Sequence, residues 1–202
     1  MATLTLDKKT RYTYADYEKL PEGSPYQLIG GELIMMPAPI PYHQIVKNNI
    51  QFEMSVFVRD KNLGIVLDAP IDVYLSATET YQPDIIFISK ERLNIIGEKK
   101  IEGAPDIVIE ILSPSTAYYD LRHKKRVYEK SGVKEYWIVD PMEKSLELFE
   151  NLNNEFKLFS KAQNKGLVKS KLLEGFSVET EKVFAPFVKN PEYGKTPSIG
   201  NT

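Results

Sequence analysis

A single acid interrupts the most aliphatic stretch of the chain: Glu110, in Pro105-Asp106-Ile107-Val108-Ile109-Glu110-Ile111-Leu112. The brevity of the run and its branched side chains predict a buried strand. Side chains alternate along a strand, so Asp106, Val108, Glu110 and Leu112 share one face while Ile107, Ile109 and Ile111 share the other. An ionised carboxylate buried without a partner is costly, so such a strand calls for a cation, a metal ion or a proton beside Glu110. A related segment, Pro83-Asp84-Ile85-Ile86-Phe87-Ile88, lies upstream, and a basic stretch with Arg122, Lys124, Lys125 and Arg126 follows. Two acidic strands and a lysine point to a metal-dependent phosphodiesterase site.

The 202 residues suffice for one domain with a full core and are short for two. We expect a single domain over residues 1–189 and a flexible tail over 190–202, where Pro191, Gly194 and Pro197 break a polar stretch. The formal net charge of −2 neither demands nor forbids a nucleic-acid partner. Absence of cysteine removes disulfides, thiolate zinc sites and cysteine nucleophiles. It also fits a cytoplasmic protein. No apolar run approaches the roughly 20 residues of a membrane span, and Met1-Ala2-Thr3-Leu4 does not open a signal sequence.

Local patterns outline the elements. Thr13 caps a short helix through Tyr14, Tyr17 and Leu20, ended by the Pro21, Gly23, Pro25 cluster. Tyr26 to Ile29 and Glu32 to Met36 read as a hairpin turned at Gly30-Gly31, a pair that tolerates positive φ. From Pro41 to about Arg59, Ile45, Val46, Ile50, Met54, Phe57 and Val58 recur at helical spacing. Ile65 to Leu67, Ile71 to Leu75, Asp84 to Ser89 and Asp106 to Leu112 read as strands of a central sheet. Ser113-Pro114-Ser115-Thr116 offers two N-caps for a helix ending at Ser131 before Gly132. Glu135 to Val139, Ser145 to Glu150 and Glu155 to Lys161 complete a mixed sheet.

The chemistry concentrates on few residues. Asp84 and Asp106 each follow proline at a strand start, an ordinary turn arrangement. Glu110, mid-strand, is the harder acid to explain structurally. Carboxylates from adjacent strands can share a hard cation such as magnesium or manganese, which would hold a phosphate and activate water. Asp120, Lys124 and Tyr128 recur every four residues on one helical face, a spacing equally compatible with a solvated salt-bridged stripe. Between Asp120 and Lys134 there are six basic residues and two acidic ones, a balance that suits a polyanion. His43, near a helix start, reads as a partly buried, hydrogen-bonded side chain with a smaller claim to catalysis. His123 reads as exposed, and Tyr136 and Trp137 as core or subunit contact.

Taken in order, Gly31-Glu32-Leu33-Ile34, His43, Pro83-Asp84, Pro105-Asp106 through Glu110, Ser113-Pro114-Ser115-Thr116, Asp120, Lys124, Tyr128, Gly132-Val133, Glu135-Tyr136-Trp137 and Val139-Asp140-Pro141 resemble the Uma-two family of restriction endonuclease-like proteins. The resemblance implies the PD-(D/E)XK nuclease superfamily, with an α/β fold: a restriction endonuclease-like mixed β-sheet flanked by α-helices. It implies Asp84 as the motif's first acid and Glu110 as its second, both binding Mg2+ or Mn2+, and Glu32 as the acid of the N-terminal region. The motif's lysine position holds Leu112, so Lys124, preferred over Lys125, takes that role from the next helix. Gln27 stands where family members often carry Glu.

The reading is a metal-dependent endonuclease, a hydrolase of DNA phosphodiester bonds using metal-activated water, with Glu32, Asp84, Glu110 and Lys124 as catalytic residues. A homodimer follows from the resemblance, since two related sites cut two strands. The alternative is a nuclease-like fold without turnover that binds nucleic acid or protein.

Overall fold

The computed structural model describes residues 10–114 and 117–185. The expected tail at 190–202 and the capping residues Ser115 and Thr116 lie outside them. Helix α1 (Tyr14–Tyr17) starts at Thr13, whose amide donates to the Asp16 carboxylate at 3.0 Å. The hairpin follows as β1 (Tyr26–Ile29) and β2 (Glu32–Met35), with Gly30 and Gly31 at φ +61° and +81° as the tight turn requires. Helix α2 (Pro41–Asp60) buries Val46, Ile50, Met54 and Val58 on one face.

Four strands come next: β3 (Gly64–Asp68), β4 (Val73–Ser76), β5 (Glu79–Tyr81) and β6 (Ile85–Ser89). A helical turn at Lys90–Ile95 and the short β7 (Ile101–Glu102) lead to β8 (Ile107–Ile111). A π-type turn at Tyr119–Lys124 continues into α3 (Lys125–Ser131), which stops at Gly132 with φ +90°. Then follow β9 (Glu135–Asp140), β10 (Ser145–Asn151), β11 (Phe156–Gln163), β12 (Leu167–Lys169), β13 (Ser177–Glu179) and α4 (Thr180–Val183).

The mixed sheet runs β11-β10-β9-β8-β6-β3, with β8 and β9 parallel and the other neighbours antiparallel. Contrary to expectation, the strand within Ile71 to Leu75 does not join it. That strand, β4, belongs to a second sheet, β2-β1-β5-β4-β7, together with β5, whose three residues are too few to show a strand pattern in the sequence. Val73 and Tyr81 are fully buried against the mixed sheet, and this burial draws both strands into a covering layer. Alternation within a strand does not reveal its partners.

All five residues of β8 are buried. Ile107, Ile109 and Ile111 pack with Val46, Ile50 and Met54 of α2 and with Trp137 and Val139 of β9. Each fully buried aliphatic side chain contributes about 1.5–3 kcal/mol. Val108 lies on the opposite face with Ile86, Tyr81, Tyr128 and Tyr136, and strand alternation puts Glu110 on that same side. The segment after residue 163 completes the first core with Val168, Phe176, Val178 and Val183. It is tied on by Glu135, whose carboxylate accepts from the Ser170 hydroxyl at 2.8 Å and the amides of Lys171 and Leu172 at 2.7 Å.

Candidate active site

Antiparallel pairing of β6 with β8 matches Ile85 to Ile109, so Asp84, one residue ahead of β6, falls opposite Glu110. Asp84 accepts the Ile111 amide at 2.8 Å. His43 on α2 donates from Nε2 to the Ile111 carbonyl at 3.0 Å, and the same nitrogen lies 3.5 Å from Asp84. Burial pushes the imidazole pKa down, but the hydrogen bond and charge of Asp84 and the Ile111 carbonyl outweigh it and hold it above the ordinary value. His43 Nδ1 is buried without a hydrogen-bond partner among the described residues. His43, expected to be partly buried and hydrogen-bonded, is hydrogen-bonded and buried outright, with a contact to an acid that helical spacing does not disclose.

Glu110 is 3% exposed and receives two donors on one oxygen, the Tyr128 hydroxyl at 2.8 Å and the Lys124 ammonium at 3.2 Å. Lys124 also pairs with Asp120 at 2.9 Å, across the π-type turn. The stripe Asp120, Lys124, Tyr128 is therefore buried around Glu110 rather than solvated. π-type turns recur at functional sites, and this one sets two charged side chains into a closed interior. One ammonium between two carboxylates leaves an excess of negative charge. Burial accordingly pushes the Glu110 carboxyl up to about 8 against the pull of Lys124, with Asp120 and Asp84 adding to the rise. Burial disfavours the Lys124 ammonium, yet Glu110 and Asp120 outweigh it and hold its pKa above the ordinary lysine value. Lys125 points elsewhere, its ammonium 3.2 Å from the centre of the Phe149 ring.

The second sheet forms the rim. Leu28 pairs with Thr80, which sets Ile29 beside Glu79 and Gln27 beside Tyr81, while Ile29 pairs with Glu32 across the hairpin. Glu32, Ile29 and Glu79 thus form one cross-strand row. Glu32 is exposed on the outer strand, and its side chain forms no ion pair or hydrogen bond among the described residues. Glu79 instead accepts from the Gly30 amide at 2.9 Å and the Tyr81 hydroxyl, and lies 3.1 Å from His123 Nε2. His123, expected to be exposed, has a side chain 41% exposed, and it adds a contact to Glu79. Gln27 is 6% exposed, and its Oε1 has no hydrogen-bond partner among the described residues.

Of the four candidates, Asp84, Glu110 and Lys124 gather around the end of β8, and Glu32 stands apart from them by contact. Glu79, which the sequence reading missed, is the acid that the fold ties into the rim; its strand is too short to carry a clear alternation. Asp106 is a structural acid: fully buried, it accepts the Ser89 amide at 2.8 Å and pairs with Arg92 at 2.9 Å and Lys134 at 2.8 Å. Among the described residues no three His, Asp or Glu side chains are grouped to hold a metal ion. The donors available are the Asp84 and Glu110 carboxylates and the Ile111 carbonyl. These hard oxygens fit magnesium or manganese, which complete their shells with water and phosphate.

Residues 14–181 match the model of the Uma2 family, described as "Putative restriction endonuclease". The chain belongs to this family. A solved structure, a "putative nuclease belonging to DUF820" from Anabaena variabilis, is similar to it with a TM-score of 0.71 and 21% identity. The similarity covers 85% of this chain and 97% of the other. At that identity the likeness establishes a shared fold, a mixed α/β architecture flanked by helices. No curated protein matches the chain. No described helix of this Uma2 member is long and apolar enough to cross a membrane.

Proposed function

We propose that this Uma2 chain is a magnesium- or manganese-dependent endodeoxyribonuclease. The observation that carries the reading is the pairing of Asp84 with Glu110 across β6 and β8, with the buried ammonium of Lys124 at Glu110. Asp84 and Glu110 would hold the ion, which when bound supplies a Lewis acid and lowers the pKa of a coordinated water. Lys124 places a fixed positive charge where negative charge grows on the phosphate. Tyr128 and Asp120 keep the Glu110 carboxylate and the Lys124 ammonium oriented. His43 holds the Ile111 carbonyl and stands beside Asp84, so it positions the donors from the α2 side. Glu32, on the outer strand, belongs to the reading as an acid facing substrate rather than as an ion ligand. A homodimer, with two related sites serving two strands, completes it and is checked by light scattering.

The test is calorimetric titration of manganese and magnesium into metal-free protein, beside Asp84→Asn and Glu110→Gln, followed by plasmid cleavage. Saturable binding lost in both variants, with cleavage lost in Lys124→Ala, supports the reading. Absence of binding in the wild type, even with a short duplex present, removes it. One observation favours the second reading, a nuclease-like fold without turnover: Glu110 is already engaged by Lys124 and Tyr128. It predicts nucleic-acid or protein binding that Glu110→Gln leaves unchanged.

A further inference from the structure

The six basic residues between Asp120 and Lys134 part into two groups on folding. Lys124 is held by Glu110 and Asp120, Lys134 by buried Asp106, and Lys125 lies over Phe149. Arg122, Arg126 and Lys130 remain exposed, and among the described residues none of them forms an ion pair. They are spaced four residues apart, so they follow one face of the helical segment. Four residues ahead of Arg122 stands Tyr118, 67% exposed. The Arg122 guanidinium lies 5.5 Å from the centre of its ring, and the Tyr119 ring meets it edge-on at 5.8 Å. Asp120, Lys124 and Tyr128 occupy the inward face, so aromatic and cations form an outward row.

A phenol ring that stays 67% exposed beside a guanidinium offers aromatic surface of the kind on which an unpaired base stacks. Bases within a duplex are already stacked and offer no free face. The three cations rise by about 6 Å per step along the helix and suit a single phosphate backbone following it. Tyr118 immediately precedes the π-type turn at Tyr119–Lys124, whose Lys124 pairs with Glu110, and the cations lead onward from it.

We propose that Tyr118, Arg122, Arg126 and Lys130 form a track for single-stranded DNA, with one base stacked on Tyr118. The choice of polyanion rests on the nuclease reading above. The track makes the preferred substrate one with an unpaired segment beside the cut.

The experiment is fluorescence anisotropy of a labelled oligothymidylate of roughly 12 nucleotides, within the span of such sites, with metal-free protein over a range of salt. Tyr118→Ala weakens binding roughly 5- to 150-fold and Tyr118→Phe restores it. Replacing Arg122, Arg126 and Lys130 together by alanine flattens the slope of log affinity against log salt by about 2. A matching duplex binds more weakly and does not respond to Tyr118→Ala. Wild-type affinity in Tyr118→Ala or in the triple variant, a duplex bound as tightly as the single strand, or no binding at all overturns the track. Calorimetric titration of manganese into the wild-type protein and into the triple variant, both without oligonucleotide, is run alongside, so failure of the track and failure of the metal site are read separately.

Discussion

The ammonium of Lys124 lies 3.2 Å from the carboxylate of Glu110, with both side chains at most 4% exposed. Truncating Lys124 leaves Glu110 and Asp120 in a closed interior without their cation. Lys124→Met therefore lowers the unfolding free energy by about 3–5 kcal/mol in urea denaturation. Adding Glu110→Gln returns part of that loss, because one carboxylate charge leaves with the ammonium. A double-mutant cycle without measurable coupling would contradict the buried pair.

Asp84→Asn and Glu110→Gln each reduce plasmid cleavage by about 100-fold or more, since loss of a carboxylate donor removes several kcal/mol of transition-state stabilisation. Both variants stay folded by circular dichroism. Cleavage at wild-type rates in either places the chemistry elsewhere.

Asp106 makes acid stability measurable. Burial alone would raise its pKa, but Lys134, the Ser89 amide and Arg92 outweigh burial and hold the carboxyl below its ordinary value. The folded pKa lies below the unfolded one, so the carboxylate stabilises the fold above roughly pH 4 and loses that contribution as pH falls through the folded value. In Asp106→Asn the acid limb of the stability profile is flatter, and stability at neutral pH drops by about 2 kcal/mol from lost charge-assisted hydrogen bonds. Parallel acid limbs in the two proteins would refute the assignment.

Gly64 opens β3 at φ +151°, where an added Cβ would stand 2.1 Å from the Ile88 carbonyl oxygen. Because the obstacle is backbone of the paired strand, the register of β3 with β6 must give. Gly64→Ala costs about 1–3 kcal/mol, read from the urea midpoint. Gly103→Ala, whose added Cβ meets open space although its φ is also positive, separates backbone strain from collision.

Short-range patterning made several features legible. The Gly30-Gly31 turn, the apolar stripe of α2, the aliphatic strand β8 and the helix stop at Gly132 each depend on residues a few positions apart. The choice of Lys124 over Lys125 also follows from such spacing, and only Lys124 contacts Glu110. Local pattern did not disclose that β4 joins β5 in a second sheet, nor the elements after residue 163. Those placements depend on which distant surface each strand buries. The acid of the rim illustrates the same point: Glu32 and Glu79 share one cross-strand row, but only Glu79 meets the Gly30 amide, Tyr81 and His123.

By itself the sequence determined that Glu110 would be buried in an aliphatic strand and would need positive partners, because alternation and desolvation act residue by residue. Only the tertiary structure decided who those partners are. Lys124 and Tyr128 reach Glu110 from the following helix, Asp84 faces it from an antiparallel neighbour, and Asp106 is claimed by Arg92 and Lys134. It also divided one basic stretch into buried counter-charges and an exposed row. Strand register and helix packing bring together residues far apart in the chain, and those contacts fix which charges lose their water.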